Sequence, residues 1–460
     1  MGNTSKKLAA KCTLLTKEEQ KYLAATFRAA SKNSDKIREE DLIVSGKVDA
    51  VLLERVWGPQ IDPRLAQYLS NFLFGSGPQK AASCDFNRFA ELYVYNVRGT
   101  TDERMMVTYN SLGMDYNDSV ELPYQLLREY CESIASTFIK VLKATTSKRA
   151  QVWITKGFRG RASHVQALGE AVAASVNTDS DTAINQCSAT QLSKWLQLNI
   201  LLQQMTEMVF VNLYGINRDE TSSPALHTAP SLLPMPHGLD PMPDYPAFID
   251  LSHIVWLNAH LPQHYQHKWR FLFSSHIHGE SFSTMAGRIQ DQGASLIIIE
   301  DNSGYIFGGF ATASWALGPN FTGTDESFLF TVAPKMRVYP ATSYNKHYQY
   351  LNHHAKTLPN GLLMGGQFNF GGIFVNADPF GEGSCAESCT TYKGYKRLSK
   401  EPTYRIRSLE VWGVGDKPLT EKESDERDLS VLDKSPEAKA ILDMAGRTRH
   451  SEGIREPPPL

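Results

Sequence analysis

The spacing of apolar and polar positions divides the chain into a helical half followed by a β-rich half. In the first half, Leu23, Phe27 and Ala30 recur at the spacing of an amphipathic helix. Thr16 followed three residues later by Glu19 is a capping-box pattern, so this helix is predicted to begin after Thr16. In the second half, short runs of β-branched and aromatic residues are separated by Gly, Asn, Asp and Pro, which is typical of strands and turns.

The β-rich half is predicted to form a sandwich, because many short strands are connected by turns. One stretch breaks the strand pattern. Phe282, Met285 and Ile289 fall at i, i+3 and i+7, so a short helix is predicted there, with Ser281 as its N-cap. The predicted fold class is therefore α+β: an all-α N-terminal half, then a β-sandwich with short helices, then a C-terminal helix.

Prolines and charges set the predicted domain boundaries. Prolines at positions 224, 230, 234, 236, 241 and 243 predict a linker without regular structure. The predicted divisions are an acylated basic segment at 1–15, a helical region at 16–215, the linker at 216–243, the sandwich at 244–416 and a charged tail at 417–460 with a helix at 436–445.

Two stretches of the helical region resemble EF-hand loops that have lost their calcium ligands. In "ASKNSDKIREEDL", Ile37 takes the eighth loop position and Asp41 the twelfth, which leaves Ala30 and Lys32 at ligand positions. In "ASCDFNRFAELY", Arg88 takes the twelfth position. Calcium requires about six to eight oxygen ligands. An EF-hand-like pair without tight calcium binding is predicted, and a plain helix–loop–helix pair gives the same expectation.

Composition narrows the function by exclusion. The 47 basic and 49 acidic side chains give a net charge of −2, and no basic stripe is interleaved with aromatics, so nucleic-acid binding is not expected. The six cysteines are too sparse for a secreted disulfide framework. The polar, lysine-rich start predicts no signal peptide. The stretch "SATQLSKWLQLNILLQQMTEMVFVNLYG" is predicted to be one buried helix of a cytosol-facing protein, because polar residues interrupt it.

The stretch "FLFSSHIHGESFSTM" contains the strongest metal-like pattern. His276, His278 and Glu280 alternate and would share one face of a strand. The helix predicted from Phe282 instead makes this stretch a strand-to-helix corner, and no well-placed fourth ligand follows. No metal is therefore predicted there.

Other candidate chemistry is equally incomplete. A proline lies between the first two of His260, His264 and His267, so these histidines are predicted to lie in a polar connection rather than on one helix face. Cys385 and Cys389 lack the second pair that structural zinc requires, and a redox role for them stays open. Nucleophile-elbow and P-loop motifs are absent from the sequence. No catalytic residue, cofactor or metal is predicted.

The N-terminus is a candidate membrane anchor. Removal of Met1 would expose Gly2 for myristoylation, although Lys6 stands where Ser or Thr is usual. A single acyl chain anchors only marginally, so the nearby lysines, or palmitoylation at Cys12, would supply the second attachment.

The tail carries the predicted partner-binding residues. Ser435 as N-cap, Pro436 at the first position and Gly446 as terminator define its helix. The residues assigned to partner binding are Ile441, Leu442, Ala445, Arg447, Arg449 and His450. The apolar face of this helix either docks on the preceding domain or binds a partner protein.

Five separated stretches give the β-rich half a family resemblance. They are "LFSSHIHGESFSTM", "YIFGGFATASW", "GTDESFLFTV", "GGIFVNADPFGEGSCAESCTTY" and "LEVWGVGD". In this order, over about residues 245–416, they resemble a TLDc domain. The resemblance implies a β-sandwich with short helices and no established catalytic residues. For several members it also implies binding to the vacuolar proton ATPase.

The layout of the whole chain, including the final "GRTRHSEGIRE", resembles TLDc proteins of lysosomal mTOR signalling. This resemblance implies a non-enzymatic adaptor, located in the cytoplasm and on the cytoplasmic face of the lysosomal membrane. Such an adaptor would hold that membrane through its N-terminal lipid, recruit mTOR and associated components, and promote mTOR signalling in growth and nutrient response. The alternatives are a TLDc-type regulator of the vacuolar proton ATPase, and a metal or redox enzyme.

Overall fold

The computed structural model describes residues 15–31, 46–78, 80–117, 119–145, 147–177, 184–216, 232–239 and 245–418. The described residues through Gly415 form one compact unit. Gly2, Cys12 and every predicted partner-binding residue of the tail lie outside the described residues. Within the described parts, no helix is both long and apolar enough to span a bilayer.

The N-terminal half is helical, as predicted. Its helices are α1 Lys17–Ala29, α2 Ala50–Trp57, α3 Pro63–Phe74, α4 Phe86–Arg98, α5 Thr101–Ser111, α6 Tyr124–Ala144, α7 Lys148–Thr155, α8 Ala162–Ala174, α9 Ala189–Leu198 and α10 Ile200–Leu213. A two-residue strand, β1 Leu122–Pro123, pairs antiparallel with β2 Gln186–Cys187. α6 and α8 approach closely at Gly169, because a methyl group there would overlap the backbone of Glu132.

The predicted capping box at the start of α1 is confirmed. The Glu19 N–H donates to Thr16 Oγ1 at 3.1 Å, and the Thr16 N–H donates to Glu19 Oε2 at 2.9 Å. The other carboxylate oxygen of Glu19 accepts from the Tyr93 hydroxyl at 3.0 Å and from Arg98 at 2.6 Å. One buried carboxylate therefore both starts α1 and ties it to α4.

Helices α1 to α4 form two helix–loop–helix units whose loops are joined by a single bridge. The Val48 N–H donates to Cys84 O at 3.0 Å and the Cys84 N–H donates to Val48 O at 2.9 Å. Asp49 and Asp85 each cap the helix that follows. Cys84 is the eighth position in the predicted register of the second loop, so Val48 holds the equivalent place in the first. Val48 and Asp49 therefore take the places of bridge and cap, whereas Ile37, predicted at the eighth position, lies outside the described residues.

The stretch predicted as one long helix is broken at Asn199. Asn199 ends α9 and begins α10, because its side-chain oxygen accepts from the Leu202 N–H at 2.9 Å. Asn side chains compete in this way with the helical hydrogen-bond ladder. The break leaves Leu198 and Ile200 on an outer corner, 66% and 60% exposed.

The C-terminal half contains α11 Leu251–His260, α12 Ser275–His278 and α13 Phe282–Ile289. Its strands are β3 Met235–His237, β4 Lys268–Ser274, β5 Ser295–Asp301, β6 Ile306–Ala311, β7 Phe328–Ala333, β8 Arg337–Pro340, β9 Tyr350–Asn352, β10 Gly361–Gln367, β11 Phe370–Asn376, β12 Glu382–Ser384 and β13 Thr403–Val414. The predicted helix inside the domain is confirmed as α13, with Ser281 Oγ accepting from the Thr284 N–H at 3.3 Å.

The strands form a sandwich of two sheets that share the long strand β13. One sheet runs β8-β7-β6-β5-β13-β4-β3, and the other runs from the start of β13 through β12, β11 and β10 to β9. All of these pairs are antiparallel except β3 with β4. The predicted α+β class, with a mostly antiparallel sheet region after a helical half, is confirmed.

The first sheet is buried on both faces. Ile297 and Ile299 of β5 pack into the core between the two sheets, whereas Leu296 and Ile298 join a core that continues into the helical half. This explains the uninterrupted apolar run of β5, because a strand covered on both sides lacks polar alternation. The helical half therefore covers one face of the sandwich.

The proline-rich segment is more ordered than predicted. Met235–His237 forms β3, which pairs in parallel with Lys268–Arg270 of β4. Pro236 is tolerated because β3 is an edge strand, where a missing N–H costs little. The prediction that prolines exclude regular structure throughout 216–243 is wrong for this strand.

Candidate functional site: the junction of the helical half and the sandwich

A group of aromatic side chains joins the two halves. Trp153 of α7 lies 5.4 Å from Trp412 of β13 and edge-on to Trp269 of β4 at 6.1 Å, between ring centroids. Phe158 stacks on Tyr245 at 5.2 Å. The three tryptophans are fully buried. Such pairs add about 0.5–1.5 kcal/mol each beyond their area burial, so the junction is a packed core rather than an open cleft.

A buried carboxyl lies behind these aromatics. Glu410 of β13 is 1% exposed and accepts a hydrogen bond from Trp412 Nε1 at 2.8 Å. Its other oxygen, Oε1, makes no hydrogen bond that meets ordinary geometry. Burial raises the pKa of Glu410 to about 7, against the opposing influence of Tyr245 and Trp412. This carboxyl changes its charge near neutral pH inside the junction.

A second polar cluster joins α8 to the start of α11. Asp250 Oδ2 accepts from the Arg161 N–H at 3.0 Å and lies 2.7 Å from His164 Nδ1. Asp250 Oδ1 accepts from the Ser252 N–H at 3.0 Å, which caps α11. The Asp250 N–H donates to His253 Nδ1 across a long 3.3 Å. One carboxylate therefore links the helical half to the first helix of the C-terminal half.

The charges of this cluster are set by burial and hydrogen bonding. Burial by itself favours the neutral form of Asp250. The hydrogen bonds from His164 and Arg161 and the nearby His253 outweigh it, so the pKa of Asp250 is lowered. Burial lowers the pKa of His253 to about 4, so its ring is neutral at pH 7. Its Nε2 has no hydrogen-bond partner among the described residues.

The histidines of the His-x-His stretch do not assemble a metal site. β4 ends at Ser274, so His276 and His278 lie on the short helix α12 and not on a strand face. His276 Nε2 lies 2.7 Å from Ser408 Oγ, and His278 Nδ1 accepts from the Ser274 N–H at 3.1 Å. Each ring stabilises a different part of the strand-to-helix corner, which is itself confirmed.

His260, His264 and His267 do not lie together on one helix face either. His260 is the last residue of α11, and its Nδ1 lies 2.8 Å from Trp256 O. His264 lies in a short 3-10 turn, and its carbonyl oxygen is 3.0 Å from His267 Nδ1. His264 and His267 lie in the polar connection that was predicted, whereas His260 ends the helix before it.

The two cysteines left open for redox chemistry are poor thiolates. Burial raises the pKa of Cys385 to about 12, and burial also raises the pKa of Cys389. Reactive cysteines require a lowered pKa and access to solvent. The environment of both thiols therefore disfavours a redox function.

Two glycines, one in β6 and one in β11, allow the two sheets to approach closely. A methyl group at Gly372 of β11 would lie 2.8 Å from Leu329 Cδ1 of the facing sheet. A methyl group at Gly309 would meet the sulfur of Met364 at 2.5 Å. These positions serve packing and not phosphate binding.

A surface groove lies beside the break between α9 and α10. It has a volume of about 450 Å³, and its lining includes Trp195, Trp256 and His260 together with the exposed Leu198 and Ile200. Exposed apolar side chains beside a concave, partly aromatic surface are typical of protein-binding sites. The groove is therefore a candidate partner surface.

Sequence reasoning missed the junction sites and the groove. The His164–Asp250 pair spans 86 positions of sequence, and Glu410 stands in an ordinary strand pattern. For the cluster, the only local signal was an Asp followed three residues later by His253, at the start of an apolar run. For the groove, it was Asn199 between two leucine-rich segments.

The sandwich and its helical cover define a TLDc-type protein with a helical N-terminal region, and residues 242–415 match the sequence profile of the TLDc domain. MTOR-associated protein MEAK7 of Xenopus laevis is 34% identical over 385 residues, which cover 82% of this chain and 81% of that protein. The protein of the same name from Danio rerio is 34% identical over 363 residues, covering 78% and 77%. That from Homo sapiens is 43% identical over 216 residues, covering 46% of each.

The chain belongs to the TLDc-domain family that contains the MTOR-associated proteins MEAK7. The resemblance drawn from five sequence stretches is thereby confirmed. Neither the domain name nor the names of these relatives denotes an enzymatic activity.

Proposed function

We propose that this protein is a non-enzymatic adaptor that associates with mTOR. The observation that carries the proposal is the match to MTOR-associated relatives over about four fifths of both chains. This match includes much of the helical half as well as the sandwich. The junction supports it, because the two halves share one core and would therefore reach a partner as one unit.

The proposal extends to the place of action. Acylated Gly2 would hold the protein on the cytoplasmic face of the lysosomal membrane, with nearby lysines or an acylated Cys12 as second attachment. There the protein would recruit mTOR and promote its signalling. Gly2→Ala should release tagged protein from purified lysosomes and reduce mTOR activity after nutrient addition. Unchanged lysosomal sedimentation of Gly2→Ala would remove the lipid anchor from the proposal.

Two surfaces are assigned to the partner. One is the apolar face of the predicted tail helix around Ile441 and Leu442, and the other is the groove at Leu198 and Ile200. A charge at the centre of an apolar contact should weaken binding strongly, by at least tenfold. Ile441→Asp and Leu198→Asp are compared by co-purification of mTOR, with Val51→Asp as the control, because Val51 is 75% exposed on α2. If Ile441→Asp and Leu198→Asp recover as much mTOR as wild type and Val51→Asp do, both surfaces are excluded.

The second candidate is a TLDc-type regulator of the vacuolar proton ATPase. It is favoured by the tail sequence, in which the helix predicted at 436–445 is followed by Arg447, Arg449 and His450. Such a basic amphipathic helix suits a groove on a partner. Purified ATPase is captured with full-length protein and with protein lacking residues 435–450. Capture of both forms alike would show that the helix is not the contact, and capture of neither would remove this candidate.

The metal or redox enzyme is the weakest alternative. The raised thiol pKa values at Cys385 and Cys389 argue against redox chemistry. Loss of cellular function in Cys385→Ser, with folding unchanged, would restore this alternative.

A further inference from the structure

We propose that His164, Asp250 and His253 form a Zn²⁺ site that holds the helical half to the sandwich. One ligand atom of each residue lies within 4.8 Å of the ligand atoms of the other two. His164 comes from α8, whereas Asp250 and His253 come from the start of α11. Imidazole nitrogen and carboxylate oxygen are ligands that zinc binds at about 2.0–2.2 Å.

The donor set of the cluster suits a metal. Zinc binds neutral imidazole and ionised carboxylate, so its binding here would depend on pH. His164 Nδ1 and Asp250 Oδ2 lie 2.7 Å apart and share one proton in their hydrogen bond. Zinc would replace that proton, which leaves to solvent, and the two atoms would separate to about 3.3 Å around a tetrahedral ion.

The ring of His253 is available for ligation. Its Nδ1 is held only by the 3.3 Å hydrogen bond from the Asp250 N–H, and its Nε2 has no partner among the described residues. A fully buried imidazole without a strong partner is costly, because a polar group taken from water loses its hydrogen bonds. Coordination of this ring would satisfy it.

Neighbouring backbone groups hold the Asp250 carboxylate in place, as around a metal site. The N–H groups of Ser252 and Arg161 fix the orientation of the Asp250 carboxylate, as partners behind metal ligands commonly do. His164 is 20% exposed at its side chain, whereas Asp250 and His253 are buried. The ion would therefore enter from the His164 side, where a water completes the coordination.

The zinc ion would stabilise the fold and would have no catalytic role. Because its ligands come from both halves, zinc binds only the docked arrangement and stabilises it by mass action. This role does not depend on the proposed association with mTOR, since its readouts are metal content and stability.

The test uses the purified full-length chain after treatment with a chelator. Zn²⁺ is titrated by calorimetry and its effect on Tm is measured, for wild type, His164→Gln and the control His267→Ala, which changes an exposed histidine of the loop before β4. The expected result is one Zn²⁺ per chain and a rise in Tm of about 2 °C or more for wild type and His267→Ala. Neither should occur for His164→Gln, whose amide keeps a hydrogen bond to Asp250.

X-ray absorption of the zinc-loaded protein checks the ligands. Nitrogen and oxygen neighbours alone would support the site. Sulfur neighbours would place the ion on cysteines and overturn the proposal. Wild type that binds no stoichiometric zinc at micromolar concentration, or His164→Gln that binds as wild type does, would also overturn it.

Discussion

The buried carboxyl of Glu410 makes the stability of the junction depend on pH, and Glu410→Gln should remove that dependence. Burial raises the pKa of Glu410 from 4.5 to about 7. Between these two values the folded protein holds a proton that the unfolded chain has already released. Stability contributed by this group is therefore full below pH 4.5 and is lost as pH rises to 7. Above pH 7 the folded state carries a buried charge.

The magnitude follows from the size of the pKa change. At about 1.36 kcal/mol for each pKa unit, the rise from 4.5 to about 7 amounts to about 3 kcal/mol. No reduction for solvent screening is needed, because the residue is 1% exposed. Glutamine is neutral at every pH and still accepts from Trp412 Nε1, while its amide group faces Tyr245. The variant should therefore gain about 2–3 kcal/mol on wild type between pH 5 and pH 8.

The assay is urea unfolding followed by tryptophan fluorescence at pH 5, 6, 7 and 8. The control is Glu382→Gln, since the side chain of Glu382 is 44% exposed on β12. The quantity of interest is how the difference from wild type changes with pH, because any fixed effect of the substitution cancels. A difference for Glu410→Gln that stays constant within about 0.5 kcal/mol from pH 5 to pH 8 would refute the reasoning. A matching trend in Glu382→Gln would also do so.

Three further substitutions or treatments test the packing. Trp153→Ala should lower the free energy of unfolding by about 3–5 kcal/mol, because it empties the centre of the junction, and a loss below about 1.5 kcal/mol in urea would contradict the shared core. Gly169→Ala should destabilise by about 1–3 kcal/mol, since a methyl group there overlaps the backbone of Glu132; an unchanged Tm would show that α6 and α8 can separate. Cys385 should react with a thiol reagent at pH 8 far more slowly in the native protein than in urea, because burial raises its pKa. Labelling of Cys385 at equal rates in both states would restore a reactive thiol.

Local patterns predicted the elements well where one short stretch contains the whole interaction. The capping box of Thr16 and Glu19 and the helix from Phe282 to Ile289 depend on side chains three to seven positions apart. Local patterns failed where two signals competed. Asn199 stands in a strongly helical stretch, yet its side chain starts a new helix. Pro236 opposes regular structure, yet an edge strand accepts it.

The candidate sites were less predictable than the fold. His276 and His278 formed the clearest motif, but the end of β4 at Ser274 separates their roles. The cluster that does assemble joins His164 to Asp250, and nothing in the sequence between them indicates this pairing. Proximity of distant residues is decided by how whole elements pack, which no short window of sequence contains.

The sequence by itself determined the helical half, the TLDc sandwich and the family, because these follow from periodicity, turn residues and ordered motifs. Only the tertiary structure decided that the helical half covers one face of the sandwich. It also decided which polar groups become buried there, Glu410 and Asp250 above all. The physical reason is that burial, and with it the pKa of a group, depends on everything packed around that group. A strand pattern shows that a residue lies in a sheet, but not what covers the sheet.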